Sequence, residues 1–338
     1  MENLTHTLTG LMLSRAGLNR LAPHATAILL IASNIPDGDI VTALGGSLDY
    51  LDAHRAHTHA LLFAPLMALL SVLLVIPFTY RKTGWKRRWP GALAVALLGV
   101  LAHLVLDWTN VYGIRMLLPF SAEWLRLDTI NIIDFWIWGI LLMGVAAPAL
   151  SRLVSSEIGA RKSSGQGAAI AVLVLLGGYE FGRYLLHQRA VATLNSRIYQ
   201  GSVPVRVAAL PGAFNFLTWN GLVEGRGYYV VVPVNLLTEF DPGAGNIYYQ
   251  ADAPREIAAA RSTEVFRRFL NFSQFPLWRV IPVDKPEGAV RVTVSDMRFG
   301  NPGSDGFIAS AVLDSSLRVL SSQFEFGPVR PARRDSRD

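Results

Sequence analysis

The sequence predicts an α-helical membrane bundle in its N-terminal half, followed by an α+β, strand-rich extramembrane domain. The chain has 338 residues, of which 51% are hydrophobic and only 17% are charged, whereas average proteins carry roughly 25% charged residues. Long apolar runs reach to about residue 187, and short alternating segments rich in Gly, Pro, Tyr and Val follow. This change predicts a membrane domain over 1–190, a strand-rich domain over 200–328 and a disordered basic tail over 329–338.

Four segments are long enough to cross a bilayer, which takes about 20 apolar residues. They are Leu61–Tyr80, Gly91–Trp108, Ile132–Leu150 and Ala168–Leu186, the last of which carries Glu180 and Arg183 near its end. The first apolar run, Ala25–Ile35, is too short to cross alone. Residues 4–36 are consistent with a hairpin of two short helices that enters and leaves on one side, and equally with one short buried helix plus a surface helix.

Basic residues predict the orientation, because cytoplasmic loops carry an excess of Lys and Arg. Loop 81–90 has five basic residues and loop 151–167 has three. The loops 37–58 and 109–131 together contain only three, which are Arg55, Arg115 and Arg126. Loops 81–90 and 151–167 should therefore be cytoplasmic, and everything after 187 periplasmic. The result is a multi-pass protein of the bacterial inner (cytoplasmic) membrane, in contact with the lipid bilayer. Its net charge of +6 is explained by membrane loops, so no nucleic-acid partner is expected.

Two acidic and imidazole patterns are candidate metal ligands. His103 and Asp107 are four positions apart and share a helix face, and ionisable groups inside membrane segments are usually functional. Such a pair could bind one metal ion or form a hydrogen bond that ties two helices together. Asp37 and Asp39 bracket a glycine, and oxygen and imidazole ligands suit zinc or a similar divalent ion. For these aspartates alone, turn capping is the stronger alternative.

The stretch "HRAHTH", residues 54–59, holds three of the seven histidines of the chain. His54 and His59 are predicted on one side of a loop-to-helix junction, with Thr58 as a helix cap. Arg55 offers planar donors suited to a phosphate oxygen. A polar interfacial loop is the weaker alternative for this stretch.

Further polar residues are placed by the predicted layout. Asp134 opens a helix at the same outer face. His6 reaches that face only if the first two helices form a hairpin. His24 and His187 have no partners in sequence and are interpreted as structural.

The motifs "THTLTG", "IPDGDI", "HRAHTHA", "HLVLDWTNVYG" and "LLPF" follow in this order. Together they resemble the YdjM-like family of inner-membrane, metal-dependent hydrolases, first described as LexA-binding, over roughly residues 1–145. That family is distantly similar to zinc phospholipase C and P1-type nucleases.

The resemblance implies a divalent metal, with zinc as the first choice. It implies these ligands: His6, Asp37, Asp39, His54, His59, His103 and Asp107, with Asp134 a weaker candidate. Ala56 and Ala60 replace a Gly and a Ser of the pattern, which puts the hydrogen bonding around the loop in doubt. His57 falls on a variable position and is not assigned as a ligand.

The second half is predicted as strands with one helix, Pro254–Leu270. The strands are "YYVVVPVNLL", "GNIYYQA", "LWRVIPV", "AVRVTVSDMRF" and "FIASAVLD", which are rich in β-branched and aromatic residues. The stretch "PGAFNFLTWNGLVEG" predicts either a strand pair or a loop that faces the membrane. Trp219 and Trp278 are interpreted as core residues.

The predicted function is that of a membrane-bound metal-dependent hydrolase. Metal-activated water would attack a phosphodiester or related ester at the periplasmic face, with Arg55 and Asp107 as catalytic residues. A site at headgroup depth suggests a lipid or lipid-linked substrate. The alternative is a non-catalytic, metal-stabilised membrane protein whose periplasmic domain binds an envelope partner. Eight candidate ligands exceed the needs of one four-coordinate structural ion, which favours catalysis. A transporter is less well supported, since the sequence has no inverted repeat.

Overall fold

The computed structural model describes residues 1–79, 88–158, 165–212, 214–300 and 307–326. Contacts between residues divide the chain into two compact units. The first comprises Met1–Ile40, His54–Arg189 and Leu210–Trp219, and the second comprises Val41–Ala53, Ala190–Ala209 and Asn220–Asp338. Most of the predicted basic loop 81–90, residues 159–164 and the predicted tail lie outside the described residues.

The N-terminal half is helical. Its helices are α1 (Asn3–Arg15), α2 (Ala25–Ala32), α3 (Ser47–Ala53), α4 (Ala64–Thr79), α5 (Trp89–Thr109), α6 (Phe135–Ile158) and α7 (Gln166–Asn195). Among the described residues, three helical stretches are long and apolar enough to cross a membrane: Leu61–Phe78, Trp89–Thr109 and Gln166–Asn195. A fourth arises if α2 and the 3-10 stretch Ile35–Gly45, bent by 43°, count as one span.

Helix α6 differs from the predicted segment. It begins at Phe135 because the Asp134 carboxylate accepts the backbone N–H groups of Trp136 at 3.0 Å and Ile137 at 3.2 Å, which is the chemistry of an N-cap. The prediction that Asp134 opens this helix is confirmed, and the helix begins three residues after the start of the predicted apolar segment Ile132–Leu150. The apolar part of α6, Phe135–Leu150, is shorter than the other three spans.

The two short helices of the predicted hairpin, α1 and α2, pack against each other. Asn34 donates to the Thr7 hydroxyl over 3.0 Å, and the Ser14 and Thr26 hydroxyls are 2.7 Å apart. Gly10 permits this approach, since a Cβ there would lie 2.6 Å from the Ser33 hydroxyl oxygen. Both helices have buried residues and both also pack on α5, which favours the pair of short helices over a surface helix beside a buried one.

The C-terminal half contains two four-stranded antiparallel sheets. The first has β1 (Arg206–Pro211), β2 (Thr218–Gly225), β3 (Tyr228–Asn235) and β4 (Asn246–Tyr249), in that spatial order. The second has β5 (Pro276–Pro282), β6 (Val290–Asp296), β7 (Phe307–Leu313) and β8 (Val319–Phe326). The predicted strands are confirmed, whereas β1 and β8 had not been predicted. The stretch 211–225 is not a strand pair, because β1 ends at Pro211 and β2 begins only at Thr218.

The predicted helix Pro254–Leu270 is wrong as a single element. It is two helices, α8 (Pro254–Arg261) and α9 (Glu264–Phe272). Thr263 separates them because its hydroxyl accepts the backbone N–H of Phe266 at 3.3 Å and so begins a new helix. Helix α9 buries Phe266, Phe269 and Phe272 and packs on β7 and β8.

Candidate metal centre

Four side chains from three parts of the chain converge in the first unit: Asp37, His59, His103 and Asp107. Asp37 lies in the 3-10 stretch after α2, His59 lies in the 3-10 turn before α4, and His103 and Asp107 lie in the last two turns of α5. Both histidines and Asp107 are fully buried. The helix spacing predicted that His103 and Asp107 share a face, and their contact at 3.2 Å confirms it.

The ligand atoms of this cluster lie close enough together to share one ion, all within 4.8 Å of one another. The Nε2 atoms of His59 and His103 are 3.0 Å apart, and each is 3.2 Å from Asp107 Oδ2. Asp37 Oδ1 is 3.4 Å from His59 Nε2 and 3.7 Å from His103 Nε2. Zinc–ligand bonds of roughly 2.0–2.1 Å give ligand–ligand separations of roughly 3.3 Å in a tetrahedron. The residues therefore fit a divalent ion.

Hydrogen bonds on the far side of each ring indicate which nitrogens face the cluster. His103 Nδ1 donates to the backbone carbonyl of Ser33 over 2.9 Å. His59 Nδ1 lies 3.0 Å from the Thr58 hydroxyl, which itself donates to Asp39. Nδ1 therefore carries the proton in both rings, and both Nε2 lone pairs point into the cluster. Two facing lone pairs repel each other unless a cation lies between them.

The two oxygens of Asp107 have different partners. Oδ1 contacts the Arg55 guanidinium at 3.0 Å and the amino group of Met1. Oδ2 faces the two imidazoles and has no hydrogen-bond partner among the described residues, as is also true of Asp37 Oδ1. Buried polar atoms are normally hydrogen-bonded. These two oxygens are thus available to a ligand inside the cluster.

Burial controls the protonation of His59. It lowers the pKa of this imidazole well below its usual value, with Arg55 acting in the same direction and Asp39 opposing it. The neutral ring is the form that binds a metal ion.

A second group shares Asp37 and adds Asp39 and His54. Asp39 Oδ1 pairs with His54 Nδ1 at 2.9 Å, and Oδ2 accepts from the backbone N–H of Arg55 at 2.9 Å. Most of the Asp39 carboxylate is thus occupied by protein donors, which suits a residue that orients the loop. Asp37 is the member that could bridge two ions.

Arg55 is buried and bonded on several sides. Its guanidinium contacts Asp107, the Asn110 side chain at 3.0 Å and the Gly113 carbonyl at 3.4 Å, and it lies 4.8 Å from the centre of the Tyr112 ring. Its φ of +58° lies in the left-handed region. The arrangement orients Asp107, and the predicted role of Arg55 toward a phosphate remains a prediction.

His6 comes to the centre, as the hairpin hypothesis required. Its ring stacks on that of His103 with centroids 3.8 Å apart, and its Nε2 lies 3.5 Å from Asp107 Oδ1. Neither ring nitrogen has a hydrogen-bond partner among the described residues. His6 belongs to neither four- nor three-residue group, so it lies beside the cluster.

Asp134 belongs to neither group of candidate ligands. Besides capping α6, its carboxylate accepts the Tyr179 hydroxyl at 3.0 Å. Glu180 lies in the same part of the first unit as Asp134. Arg183 donates to the Thr129 carbonyl at 2.8 Å. The geometry gives Asp134 a helix-capping contact in place of the predicted ligand contact.

Several neighbouring residues acquire roles that the sequence did not reveal. Asn110 contacts both Arg55 and Asp107, and its position three residues after Asp107 was the available signal. Thr58 is not a helix cap, because 57–59 is a 3-10 turn and its hydroxyl donates to Asp39 over 3.1 Å. His57 is exposed, in keeping with its omission from the ligand set.

Fold and site together define a membrane protein with a buried His/Asp cluster that could hold a metal ion. The family model described as "YdjM inner membrane protein" matches residues 1–189. The chain belongs to this family, and it is accordingly an inner-membrane protein.

Other comparisons cover the remainder of the chain. A model described as "YfhP C-terminal alpha/beta plait domain" matches residues 255–327. The chain is also similar to the "Uncharacterized protein YfhP" of Bacillus subtilis (strain 168), with 24% identity over 95% of this chain and 94% of the relative. No solved structure matched.

Proposed function

We propose that this protein is a multi-pass, metal-dependent hydrolase that cleaves a phosphodiester or related ester at the periplasmic face. The observation that carries the proposal is the convergence of two imidazole nitrogens and two carboxylate oxygens, spaced as one divalent ion requires. Zinc is the first choice, since imidazole and carboxylate ligands are typical of zinc sites.

A bound divalent ion would supply a Lewis acid that polarises a phosphoryl oxygen and lowers the pKa of water. The protein's part is to hold that position. Ser33 and Thr58 fix the two histidine rings, while Arg55 and Asn110 fix Asp107. Such outer contacts orient ligands and raise metal affinity.

A groove on the same helices supports a lipid-linked substrate. It has a volume of about 290 Å³ and is lined by Pro65, Ala68, Leu69, Leu93, Ala94 and Leu97 of α4 and α5. Leu97 precedes His103 by six residues, or roughly 9 Å along a helix. An acyl chain in this groove would place its headgroup near the cluster.

The deciding experiment is metal analysis of the detergent-purified protein. Wild type should retain the metal, and the variants His103→Ala and Asp107→Ala should lose it. His57→Ala is the matched control, because this exposed histidine of the same motif belongs to neither group of candidate ligands. Equal metal in wild type and both ligand variants would refute the assignment.

Catalysis needs its own assay. Vesicles that contain phosphodiester lipids should be hydrolysed by the metal-loaded wild type and not by the His59→Ala variant. A protein that retains metal but turns over none of a broad panel of such lipids would favour the structural role of the metal.

A further inference from the structure

Residues 37–59 carry candidate metal ligands near both ends, and we call them the metal loop. The segment 41–53 separates its two ligand-bearing stretches. Asp37 and Asp39 precede it, and His54, Arg55 and His59 follow it. This segment groups with the C-terminal sheets, whereas the residues on both sides group with the membrane helices. Asp39 is two residues before Val41, and His54 directly follows Ala53.

Helix α3 anchors the segment within the second unit. It packs on α9 and β8, and Leu51 is fully buried. The Tyr50 ring lies 6.2 Å from the Phe326 ring, and the Ser47 hydroxyl donates to the Phe324 carbonyl over 3.3 Å. The anchor therefore combines a buried side chain, an aromatic contact and a hydrogen bond from a side chain to a backbone carbonyl.

Arg268 of α9 adds an ionic contact. Its guanidinium lies 2.7 Å from Asp49 and 2.8 Å from Asp52 of α3, and 3.4 Å from Glu264 of its own helix. Half-exposed ion pairs contribute little one at a time. Here one guanidinium joins two carboxylates of α3, so it fixes the orientation of a helix that Leu51 already holds in place.

We propose that this anchor is a positioning clamp, through which the C-terminal α+β unit sets the affinity of the metal centre. The clamp fixes α3 and so restrains the chain on both sides of it: at His54, which directly follows Ala53, and at Asp39, which is linked to α3 through residues 40–46. Leu51 and Arg268 are then positioning residues. The proposal presupposes the metal centre proposed above.

The coupling must act in both directions, since linkage between two sites is reciprocal. A metal ion that orders Asp39 and His54 should also reduce the opening of α3 from α9. Hydrogen exchange in the backbone of α3 reports that opening. This readout does not depend on activity.

The test titrates Co²⁺ alone into the metal-free, detergent-purified full-length chain, followed by its ligand-field spectrum. The double variant Leu51→Ala/Arg268→Gln should bind Co²⁺ about tenfold more weakly, the scale of a lost outer-shell contact. In wild type, Co²⁺ should slow hydrogen exchange in α3, and in the variant it should not. Arg267→Gln is the matched control, because Arg267 of the same helix is exposed and donates to the Ser262 carbonyl.

A second variant covers the case in which the double variant loosens the C-terminal fold. Two glycines inserted between Gly45 and Gly46 lengthen the link to Asp39 and leave every α3 contact in place. The clamp predicts weaker Co²⁺ binding here too, with unchanged melting of the C-terminal unit. Wild-type affinity in both variants would overturn the clamp alone. A wild-type chain that binds no Co²⁺ would overturn the metal centre and the clamp together.

Discussion

At the residue scale, Asp107 shows how one side chain can have two tasks. Its Oδ1 meets the Arg55 guanidinium, and its Oδ2 meets the imidazoles of His59 and His103. Arg55 is in turn held by Asn110. The carboxylate is thus oriented by a fixed cation on one side and leaves an oxygen for a second cation on the other.

Asp107→Asn tests both tasks. The amide keeps the shape but loses the charge, so metal affinity should fall by at least tenfold, and the buried Arg55 charge loses its partner. Breaking a buried ion pair costs about 3–5 kcal/mol, so the thermal midpoint in detergent should fall even without metal. Metal analysis and melting of the metal-free protein measure the two effects separately. Unchanged melting would show that Arg55 does not depend on Asp107.

Asp296 gives a prediction in the second unit. Burial alone raises the pKa of this carboxyl, but the Arg298 guanidinium at 2.7 Å and the backbone N–H groups of Arg298 and Gln274 bring the pKa below its ordinary value. A depressed folded-state pKa stabilises the fold above the unfolded-state pKa of about 3.9, and this contribution is lost as the pH falls through the folded value.

Asp296→Asn should therefore lower the free energy of unfolding at neutral pH by about 3–5 kcal/mol, and it should remove the part of the acid dependence of stability that comes from Asp296. Hydrogen exchange at β6 amides in the full chain, at neutral and acid pH, measures this. Asp284→Asn, at an exposed carboxylate, is the control and should behave as wild type.

At the element scale, the hairpin of α1 and α2 matters because it brings His6 and Asp37 to the end of α5. Helix α2 approaches α5 closely at Gly99, where a Cβ would lie 2.9 Å from the Ala32 Cβ. Small residues permit such contacts between membrane helices. The ligand geometry therefore depends on a contact that lies one turn before His103.

Gly99→Ala should separate α2 from α5 and destabilise the first unit by about 1–3 kcal/mol, as overpacking does. Gly139→Ala in α6 is the matched control, because a Cβ there meets nothing within 4 Å. This control should be neutral or slightly stabilising, since alanine favours a helix by about 0.5–1 kcal/mol over glycine. Melting in detergent compares them, and equal midpoints would contradict the close packing.

At the scale of the whole molecule, the orientation of the chain in the membrane remains a prediction from the basic loops. The absence of cysteine from the sequence makes it directly measurable. Ser262→Cys, at an exposed residue between α8 and α9, should react with a membrane-impermeant maleimide in intact cells whose outer envelope is permeabilised. Ser163→Cys, in the predicted cytoplasmic loop, should react only after lysis. The reverse pattern would place the C-terminal unit in the cytoplasm.

The sequence by itself determined the two-part architecture, the apolar helices and most strands, because these depend on local composition and periodicity. It also determined that His103 and Asp107 share a face, since helix geometry fixes a spacing of four. The sequence could not show whether Asp134 binds a metal ion or caps a helix. It also did not show that Thr263 divides one helix into two. Both outcomes depend on individual hydrogen bonds in the folded chain.

Only the tertiary structure decided which polar groups meet. The contact between His59 and His103 joins residues 44 positions apart, and no local pattern encodes such a distance. The same holds for segment 41–53, whose sequence continues the metal loop although its contacts lie with α9 and β8. These partners meet because helices and sheets that are distant in sequence pack against each other. The surfaces that pack exist only once those helices and sheets have formed.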